Sequence, residues 1–312
     1  MSRKYKLSAA VALSATAALL LGACGGGDAQ DSPNEGLLEG ADLIAGSKEF
    51  TESVVLAQIS SIALEDAGAS ITDQTGISGS ATVREALETG EVDFYWDYTG
   101  TGWVNILGNT TDDVPEDLFA EVSEADEENG IAWLEPAPFE NTYRIAAKQE
   151  FADENGIETM SDAADFINDN DDQARVCAAS EFINRDDGLP GLEEAYDFEF
   201  SQVVELDLNL IYPQVGDSCE FGEVFSTDAR IAANDMVVLE DDEDFFVQYQ
   251  GSMTLRQESL DEFPEIAEIM APISEKLTNE VVMELNGQVD TLGEMPEDVA
   301  REWLEDEGLI GS

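Results

Sequence analysis

The chain has no histidine and only 13 lysines and arginines among its 312 residues. Histidine is the commonest general base and the commonest ligand of transition metals in proteins. The sequence also lacks a Gly-x-Ser-x-Gly nucleophile elbow and a Gly-x-x-x-x-Gly-Lys-Ser/Thr phosphate loop, the signatures of two large enzyme classes. We therefore expect a binding protein rather than an enzyme, with neither a metal nor another cofactor.

Positive charge is scarce, whereas aspartate and glutamate together number 70. All 70 acids follow residue 23 and three bases precede it, so residues 24–312 carry a formal charge of 10 − 70 = −60. Such a surface repels phosphates and excludes nucleic acid as a partner. The acids are spread along the chain without the spacing of a calcium loop. We interpret them as a halophile-type surface kept hydrated by carboxylates; metal or polycation binding is the alternative.

The N-terminus has the pattern of an export signal. Three basic residues precede an apolar run that is too short for a membrane span and ends at Leu21-Gly22-Ala23-Cys24. This ending is typical of a bacterial lipoprotein signal, which predicts that residues 1–23 are removed and that Cys24 carries lipid. Residues 24–41 then form a flexible tether. The alternative is an ordinary secreted protein whose signal happens to contain a cysteine.

Only three cysteines are present, and Cys24 is assigned to the lipid. The remaining two, Cys177 and Cys219, form an even pair in an exported protein. Because an oxidising compartment favours disulfides, we expect these two to be bonded. Two buried free thiols are the alternative.

Short apolar strands alternate with segments of helical periodicity. Asp42–Ala45 is a predicted strand, and Thr51 is the predicted cap of a helix with apolar positions Val55, Ile59 and Ile62. A strand at Val92–Trp96 follows, and after Tyr249 the sequence reads as largely helical. This alternation predicts an α/β fold whose ligand lies at the carboxyl ends of the strands.

Two short segments combine aromatic rings with a base and a hydroxyl. Tyr95–Thr101 places aromatic faces beside a hydroxyl at a glycine turn, and Gly46–Glu52 places one of the few lysines at a junction of strand and helix. Aromatic faces attract a soft, permanently charged cation, whereas a lysine and a hydroxyl attract a carboxylate. A small molecule that carries both groups fits this combination.

Seven segments, in the same order, resemble those of the glycine betaine/choline-binding proteins of osmoprotectant ABC transporters. The resemblance runs from about residue 42 to about residue 305. The segments are Gly46–Glu52, Val83–Leu87, Tyr98–Thr101, Asn141–Tyr143, Glu181–Gly188, Ser226–Arg230 and Asp241–Tyr249.

The resemblance implies an α/β fold of the two-lobed periplasmic-binding type with two hinge crossings, each lobe being a central sheet flanked by helices. It implies that lobe one comprises residues 42–142 plus 250–312 and that lobe two comprises 143–249. The ligand is expected between the lobes, held by an aromatic box around trimethylammonium and by basic and hydroxyl groups around a carboxylate.

Matching the segments assigns individual residues to this site. The resemblance implies that Tyr98, Tyr143 and Tyr249 belong to the aromatic box, and that Phe225 stands where the family usually has a fourth tyrosine. It implies that the ligand carboxylate is bound by Lys48, Thr101 and Arg185.

Each assignment has a structural alternative. Tyrosines near strand ends often pack rather than bind, and a phenylalanine in a strand is usually a core residue. Lys48 could pair with Glu49 or Glu52 instead, and Arg185 could brace Asp186 or Asp187. Asp97 adds a further choice, since a carboxylate in the cleft would favour a pure cation such as choline.

Together these observations predict an extracytoplasmic lipoprotein, anchored to the outer face of the bacterial membrane. It is expected to act as a monomer that captures glycine betaine or a similar zwitterion and delivers it to an ABC permease. The alternative is the same scaffold with choline, carnitine or another trimethylammonium compound as its ligand.

Overall fold

The computed structural model describes residues 33–111, 113–170 and 174–311. Cys24 and the predicted signal segment 1–23 lie outside the described residues, as does the first half of the predicted tether, residues 24–32. In the described half, Leu38 and Ala41 are buried in the core. Within the described ranges, no helix is both long enough and apolar enough to cross a lipid bilayer.

Ten β-strands run through the described residues. They are β1 Asp42–Lys48, β2 Ser70–Ile77, β3 Phe94–Tyr98, β4 Ile131–Trp133, β5 Tyr143–Lys148, β6 Arg175–Ala178, β7 Gln202–Glu205, β8 Phe221–Phe225, β9 Met236–Val238 and β10 Gly251–Arg256.

Fourteen α-helices lie in the same described ranges. They are α1 Thr51–Asp66, α2 Ser80–Thr89, α3 Thr99–Thr101, α4 Leu118–Glu127, α5 Gln149–Asn155, α6 Met160–Asp169, α7 Ser180–Asn184, α8 Leu189–Ala195, α9 Leu208–Gln214, α10 Arg230–Ala233, α11 Gln257–Glu262, α12 Glu265–Ser274, α13 Asn279–Asp290 and α14 Pro296–Asp306. A π-helical segment, Gly102–Ile106, continues α3.

The strands form two five-stranded mixed sheets with helices against them, which confirms the predicted α/β class. The first sheet has the order β2-β1-β3-β10-β4 and the second has the order β7-β6-β8-β5-β9. In the first sheet β10 is antiparallel to both of its neighbours, and in the second β5 is. The chain leaves the first sheet after β4 and returns to it at β10, so it crosses between the sheets twice.

This topology brings the predicted site residues to facing sheet edges. Strands β1 and β3 end at Lys48 and Tyr98, and antiparallel β10 begins opposite Tyr98. In the second sheet β8 ends at Phe225, and antiparallel β5 begins at Tyr143, its register partner. Strand β3 is buried along its whole length, as expected for a central strand covered on both faces.

The segment after Tyr249 is largely helical, as predicted, but strand β10, which was not predicted, precedes its helices and lies between β3 and β4. One detail of the prediction was wrong. Thr51 does not cap α1: Phe50 is the capping position, and the Thr51 hydroxyl donates to Asp290 Oδ1 at 2.6 Å.

Cys177 and Cys219 are bonded to each other. Cys177 lies on β6 and Cys219 lies just before β8, with their Cα atoms 5.7 Å apart. Both side chains are buried among the apolar residues that cover the second sheet. The bond ties the approach of β8 to its parallel neighbour β6.

Candidate ligand-binding site

A cleft of about 1470 Å³ lies between the facing edges of the two sheets. Its wall combines residues of both sheets with the segments that connect them. All seven residues that the sequence assigns to the ligand line this cleft: Lys48, Tyr98, Thr101, Tyr143, Arg185, Phe225 and Tyr249.

Five aromatic rings form a continuous arc in the wall of the cleft. From one end to the other, the ring centroids of Tyr98 and Phe50 are 6.2 Å apart, and those of Phe50 and Phe225 are 5.1 Å apart. The arc continues from Phe225 to Tyr143 at 5.0 Å and from Tyr143 to Tyr249 at 5.5 Å. Residues of both sheets therefore contribute to one aromatic surface, which we call the aromatic arc.

Phe50 belongs to the aromatic arc although the sequence reading did not assign it. It caps α1, two residues after β1, and its ring lies between those of Tyr98 and Phe225. It is the ring that connects the first sheet to the second. The only signal available in the sequence was its place inside the segment Gly46–Glu52.

A glycine allows Tyr249 to reach the arc. A Cβ on Gly100 would lie only 2.7 Å from the Tyr249 ring, closer than side-chain atoms approach one another in proteins. Short helix α3 therefore carries Gly100 under the ring and brings buried Thr101 to the wall of the cleft. The Tyr249 hydroxyl donates to Asp187, which fixes the other end of the ring.

Lys48 is paired with Asp97, not with Glu49 or Glu52. Its Nζ donates to Asp97 Oδ1 at 2.8 Å, and both side chains are buried. The same ammonium lies 5.2 Å from the centroid of the Tyr98 ring. Positive charge therefore faces the first end of the aromatic arc, while Asp97 is neutralised behind it.

Asp97 is held by two further donors, which explains why a carboxylate is tolerated here. The Tyr95 hydroxyl donates to Oδ2 at 2.6 Å, and the backbone N–H of Tyr98 donates to Oδ1 at 2.9 Å. A buried carboxylate is stable only when it is paired and hydrogen-bonded. Asp97 therefore supports Lys48 rather than lining the cleft itself.

Arg185 lies at the other end of the arc and is also paired. Its guanidinium donates to Asp187 through Nε at 2.7 Å and through Nη2, and Nη1 donates to Glu181 at 2.8 Å. Its Cζ atom lies 5.3 Å from the Tyr143 ring centroid and 6.0 Å from that of Tyr249. Arg185 therefore both pairs with Asp187, as the structural alternative predicted, and lies in the wall of the cleft.

Hydrogen bonds across the cleft hold the two sheets together. Glu181 accepts from the backbone N–H and the hydroxyl of Ser80, at 2.9 and 2.7 Å, where helix α2 begins. The amide oxygen of Asn105, with the amide turned towards Arg185, accepts from two guanidinium nitrogens at 3.0 Å each. Glu181 and Arg185, which follow β6, thus bind residues of the two segments that flank β3.

The charge of Glu181 is strongly stabilised. Burial by itself raises the pKa of this carboxyl group, but Lys48, Arg185 and the donors of Ser80 outweigh it and lower the pKa to about 2. The start of a helix also favours a negative charge. Glu181 therefore remains ionised at neutral pH and links the two sides of the cleft.

A second acidic connection lies at Glu52, a buried residue that contacts the aromatic arc through Tyr98. Its Oε1 accepts from the Tyr98 hydroxyl and from Asn141, at 2.8 and 2.7 Å. Its Oε2 accepts from Thr227 at 2.6 Å and from Asn286 at 3.1 Å. Burial raises the pKa of Glu52, and these four donors offset part of the rise. One carboxyl group thereby joins α1, the first crossing, the loop after β8 and α13.

Residues 41–306 match the model of a family described as the substrate-binding domain of ABC-type glycine betaine transport systems. The chain belongs to this family. A Pseudomonas aeruginosa glycine-betaine-binding protein is 32% identical over 285 residues, covering 88% of this chain and 91% of that protein. A solved structure described as a glycine betaine/carnitine/choline ABC transporter is 25% identical, with a TM-score of 0.69 over 86% of this chain and 99% of that chain.

A further relative is the Helicobacter pylori protein named ergothioneine transport permease/ergothioneine binding protein EgtU. It is 34% identical over 275 residues, which are 87% of this chain. The chain spans only about half the length of that relative, 49%.

Membership in the glycine betaine transport family fixes the general role and the architecture. Proteins of this family are substrate-binding components of ABC importers rather than enzymes. They act outside the cytoplasm, bind small quaternary ammonium ligands and work with ABC permeases. The two-lobed periplasmic-binding fold predicted from the sequence is confirmed by the solved structures that share it.

Proposed function

We propose that the protein captures a zwitterionic quaternary ammonium solute, glycine betaine or a close analogue, in the cleft and delivers it to an ABC permease. The observation that carries this proposal is the aromatic arc, to which both sheets contribute and which has a basic residue at each end. The two proposed lobes are residues 42–142 plus 250–312 and residues 143–249, a division that the strand membership of the two sheets supports.

The aromatic arc suits a cation that offers no N–H group. A quaternary ammonium cannot donate hydrogen bonds through nitrogen, so it must be held by the negative faces of aromatic rings, each worth roughly 0.5–2 kcal/mol. Several rings with a carboxylate contact can supply the roughly 8 kcal/mol that micromolar affinity requires. Phe225 provides such a face without a hydroxyl, so the cation contact does not depend on a tyrosine at this position.

Lys48, Thr101 and Arg185 are proposed to bind the ligand carboxylate. An ammonium has three donors and a guanidinium has five, and in the structure Lys48 spends one of its three on Asp97. The pairs with Asp97 and Asp187 also hold the two cations in fixed positions, which lowers the entropy lost when the ligand binds.

One observation favours a second candidate, a purely cationic ligand such as choline. Lys48 and Arg185 are already neutralised by buried carboxylates, so the ends of the arc carry little net positive charge. Carnitine has the zwitterionic character of glycine betaine with an added hydroxyl. A ring-bearing betaine of histidine is a further candidate, supported by the Helicobacter pylori relative named for ergothioneine.

Lobe closure and ligand binding are proposed to be one equilibrium. Phe50 and Phe225 approach from opposite sheets, and Glu181 binds Ser80 across the cleft. A cation enclosed by rings of both lobes would stabilise the closed arrangement by its preferential affinity for that state. The protein is also proposed to act as a monomer. Lipid on Cys24 is proposed to tether it to the outer face of the bacterial cell membrane, and its acidic surface is proposed to be adapted to high salt.

Isothermal titration calorimetry with a panel of methylammonium compounds at high salt tests the proposal. Glycine betaine, carnitine, choline and proline betaine form the panel, and trimethylamine N-oxide and glycine serve as small-solute controls. We expect micromolar binding of at least one zwitterion on the panel. If no quaternary ammonium compound binds, the proposed function is wrong.

A further inference from the structure

Glu223 is a buried acid in the wall of the cleft. None of the contacts proposed above for the carboxylate or the cation of the ligand involves it. It lies on β8, two residues before Phe225, and its side chain is 1% exposed. Phe225 pairs with Tyr143 and Glu223 pairs with Ile145 across β5 and β8. Since positions two apart on a strand share a face, Glu223 lies on the same face of the sheet as Phe225 and Tyr143, roughly 7 Å further along the strand.

The carboxyl group of Glu223 has little bonding of its own. Its Oε2 accepts from the backbone N–H of Ala179 at 2.7 Å, and this is its one hydrogen bond among the described residues. No lysine or arginine of the described chain forms an ion pair with it. A carboxylate offers about four acceptor positions, so most of its capacity is unspent.

Three other acids beside the cleft that are buried or half-buried are engaged by the protein. Asp97 is bound by Lys48 and Tyr95, and Glu181 is bound by Ser80 and Arg185. Glu52, equally buried, accepts four hydrogen bonds. Glu223 differs from all of these because its surroundings give a buried carboxyl group one donor only.

The electrostatic surroundings of Glu223 agree with this. Burial raises its pKa to about 8; the Ala179 N–H and the more distant Arg185 oppose the rise, whereas the charge of Glu181 adds to it. Tyr143, on the neighbouring strand, also interacts with it electrostatically. A buried acid with one donor is unfavourable for the fold compared with an apolar side chain, and such groups concentrate at functional sites.

We propose that Glu223 is a specificity-determining residue that accepts a hydrogen bond from an N–H or O–H of the ligand, carried in addition to its quaternary ammonium and carboxylate groups. The inference rests on the proposed function and goes further in naming the ligand class. Glycine betaine has no such donor at neutral pH. The cleft therefore prefers a betaine with a donor-bearing side chain, such as the ring N–H of a histidine betaine or the hydroxyl of carnitine.

The test is calorimetry of wild type, Glu223→Gln and Glu223→Leu with three ligands: glycine betaine, carnitine and histidine betaine. Wild type is expected to bind a donor-bearing ligand at least tenfold more tightly than glycine betaine. Glu223→Leu should weaken that ligand at least tenfold, and Glu223→Gln, which keeps an acceptor, should weaken it less. Binding of glycine betaine should change less than threefold and so report that the variants are folded. Whether carnitine or histidine betaine responds identifies the donor as O–H or N–H.

A matched control and a proton measurement separate this role from a general loss of charge. Glu205→Gln, at an exposed position on the rim of the cleft, should leave the affinities for all three ligands unchanged. A ligand donor favours the ionised carboxylate, so binding at pH 7 should release protons, measured in two buffers of different ionisation enthalpy. Glu223→Gln should abolish that release.

Two results would overturn the inference. If wild type binds glycine betaine and Glu223→Leu weakens all three ligands equally, Glu223 only supports the wall and the proposed function survives. If wild type binds none of the three, the proposed function fails, and the inference fails with it.

Discussion

Replacing Tyr143 tests whether the aromatic arc binds the ligand through its π faces. Tyr143 lies at the middle of the second-sheet side of the arc, with its ring centroid 5.0 Å from that of Phe225 and 5.5 Å from that of Tyr249. It is 6% exposed, and its hydroxyl makes no hydrogen bond with another described residue. Tyr143→Phe keeps the ring and removes this hydroxyl, whereas Tyr143→Leu keeps apolar bulk and removes the π face.

The expected magnitudes follow from these contacts. A desolvated cation–π contact is worth up to about 2 kcal/mol, and each 1.4 kcal/mol corresponds to about a tenfold change in affinity. Tyr143→Leu should therefore weaken glycine betaine binding roughly 10- to 30-fold, and Tyr143→Phe should weaken it less than threefold. The leucine variant also loses ring contacts, so its melting temperature must be measured to show that it is folded.

Calorimetry with an analogue that lacks the cation separates the cation contact from simple burial. In 3,3-dimethylbutanoate a tert-butyl group replaces trimethylammonium, so the shape and the carboxylate remain and only the positive charge is lost. Its affinity should differ less than threefold between wild type and Tyr143→Leu. The Arg185 Cζ lies 5.3 Å from the Tyr143 ring centroid, so Tyr143→Leu could weaken glycine betaine by displacing Arg185 from the ligand carboxylate. Choline has no carboxylate, so an equal loss of its affinity shows that the lost ring contact is the cause. Equal losses of affinity for the ligands with and without the cation, or equal affinities of the two variants, would show that the Tyr143 ring makes no cation–π contact with the ligand.

Three further predictions concern charge, pH and the disulfide. Lys48→Met should weaken the binding of glycine betaine more than that of choline. Because it leaves Asp97 buried without its ion pair, it should also lower the free energy of unfolding by about 3–5 kcal/mol. The double variant Lys48→Met/Asp97→Asn should largely restore that stability, as measured by chemical denaturation. The pKa of Glu181 is lowered from 4.5 to about 2, so its stabilising effect is present above pH 4.5 and is lost as the pH falls towards 2. The melting temperatures of wild type and Glu181→Gln should therefore converge over that range. A constant difference between them would contradict the assignment. Replacing Cys177 and Cys219 by alanine, which opens a loop with a sequence separation of 42, should lower the free energy of unfolding by about 4 kcal/mol and leave glycine betaine affinity unchanged, whereas a large loss of affinity would show that the bond shapes the cleft.

Features with a local signal were accessible from the sequence. The periodicity of Val55, Ile59 and Ile62 predicted α1, and Gly90 ends α2 in the left-handed conformation that glycine favours. All seven residues assigned to the ligand through the resemblance line one cleft. Their ligand contacts remain predictions.

Strand β10 was not predicted, although its buried apolar residues Met253 and Leu255 alternate with two buried hydroxyl residues. Ser252 and Thr254 are completely buried, and their hydroxyls donate to the backbone oxygens of Leu134 and Tyr95 at 2.6 and 2.9 Å. Both faces of β10 are therefore buried, which a short run of alternating polar and apolar residues does not reveal. The hydroxyl partners lie far away in the sequence, so the burial of Ser252 and Thr254 could not be recognised locally.

The partners of the charged residues were also outside the reach of sequence reasoning. Lys48 pairs with Asp97 on a neighbouring strand rather than with the adjacent acids, and Glu52 collects donors as distant as Asn286. In a chain with 70 acids, every base has many candidate partners, and only the tertiary structure selects among them. The place of Phe50 in the aromatic arc is likewise set by the tertiary structure, because its neighbour Phe225 lies far away in the sequence.

The most direct measurement is a crystal structure of the protein with arsenobetaine, in which arsenic replaces the quaternary nitrogen and is located by its anomalous scattering. We expect one arsenic site on the aromatic arc, in contact with Phe50, Tyr98, Tyr143, Phe225 and Tyr249, and a carboxylate directed towards Lys48 or Arg185. An arsenic site elsewhere on the protein, with the five rings packed only against one another, would contradict it.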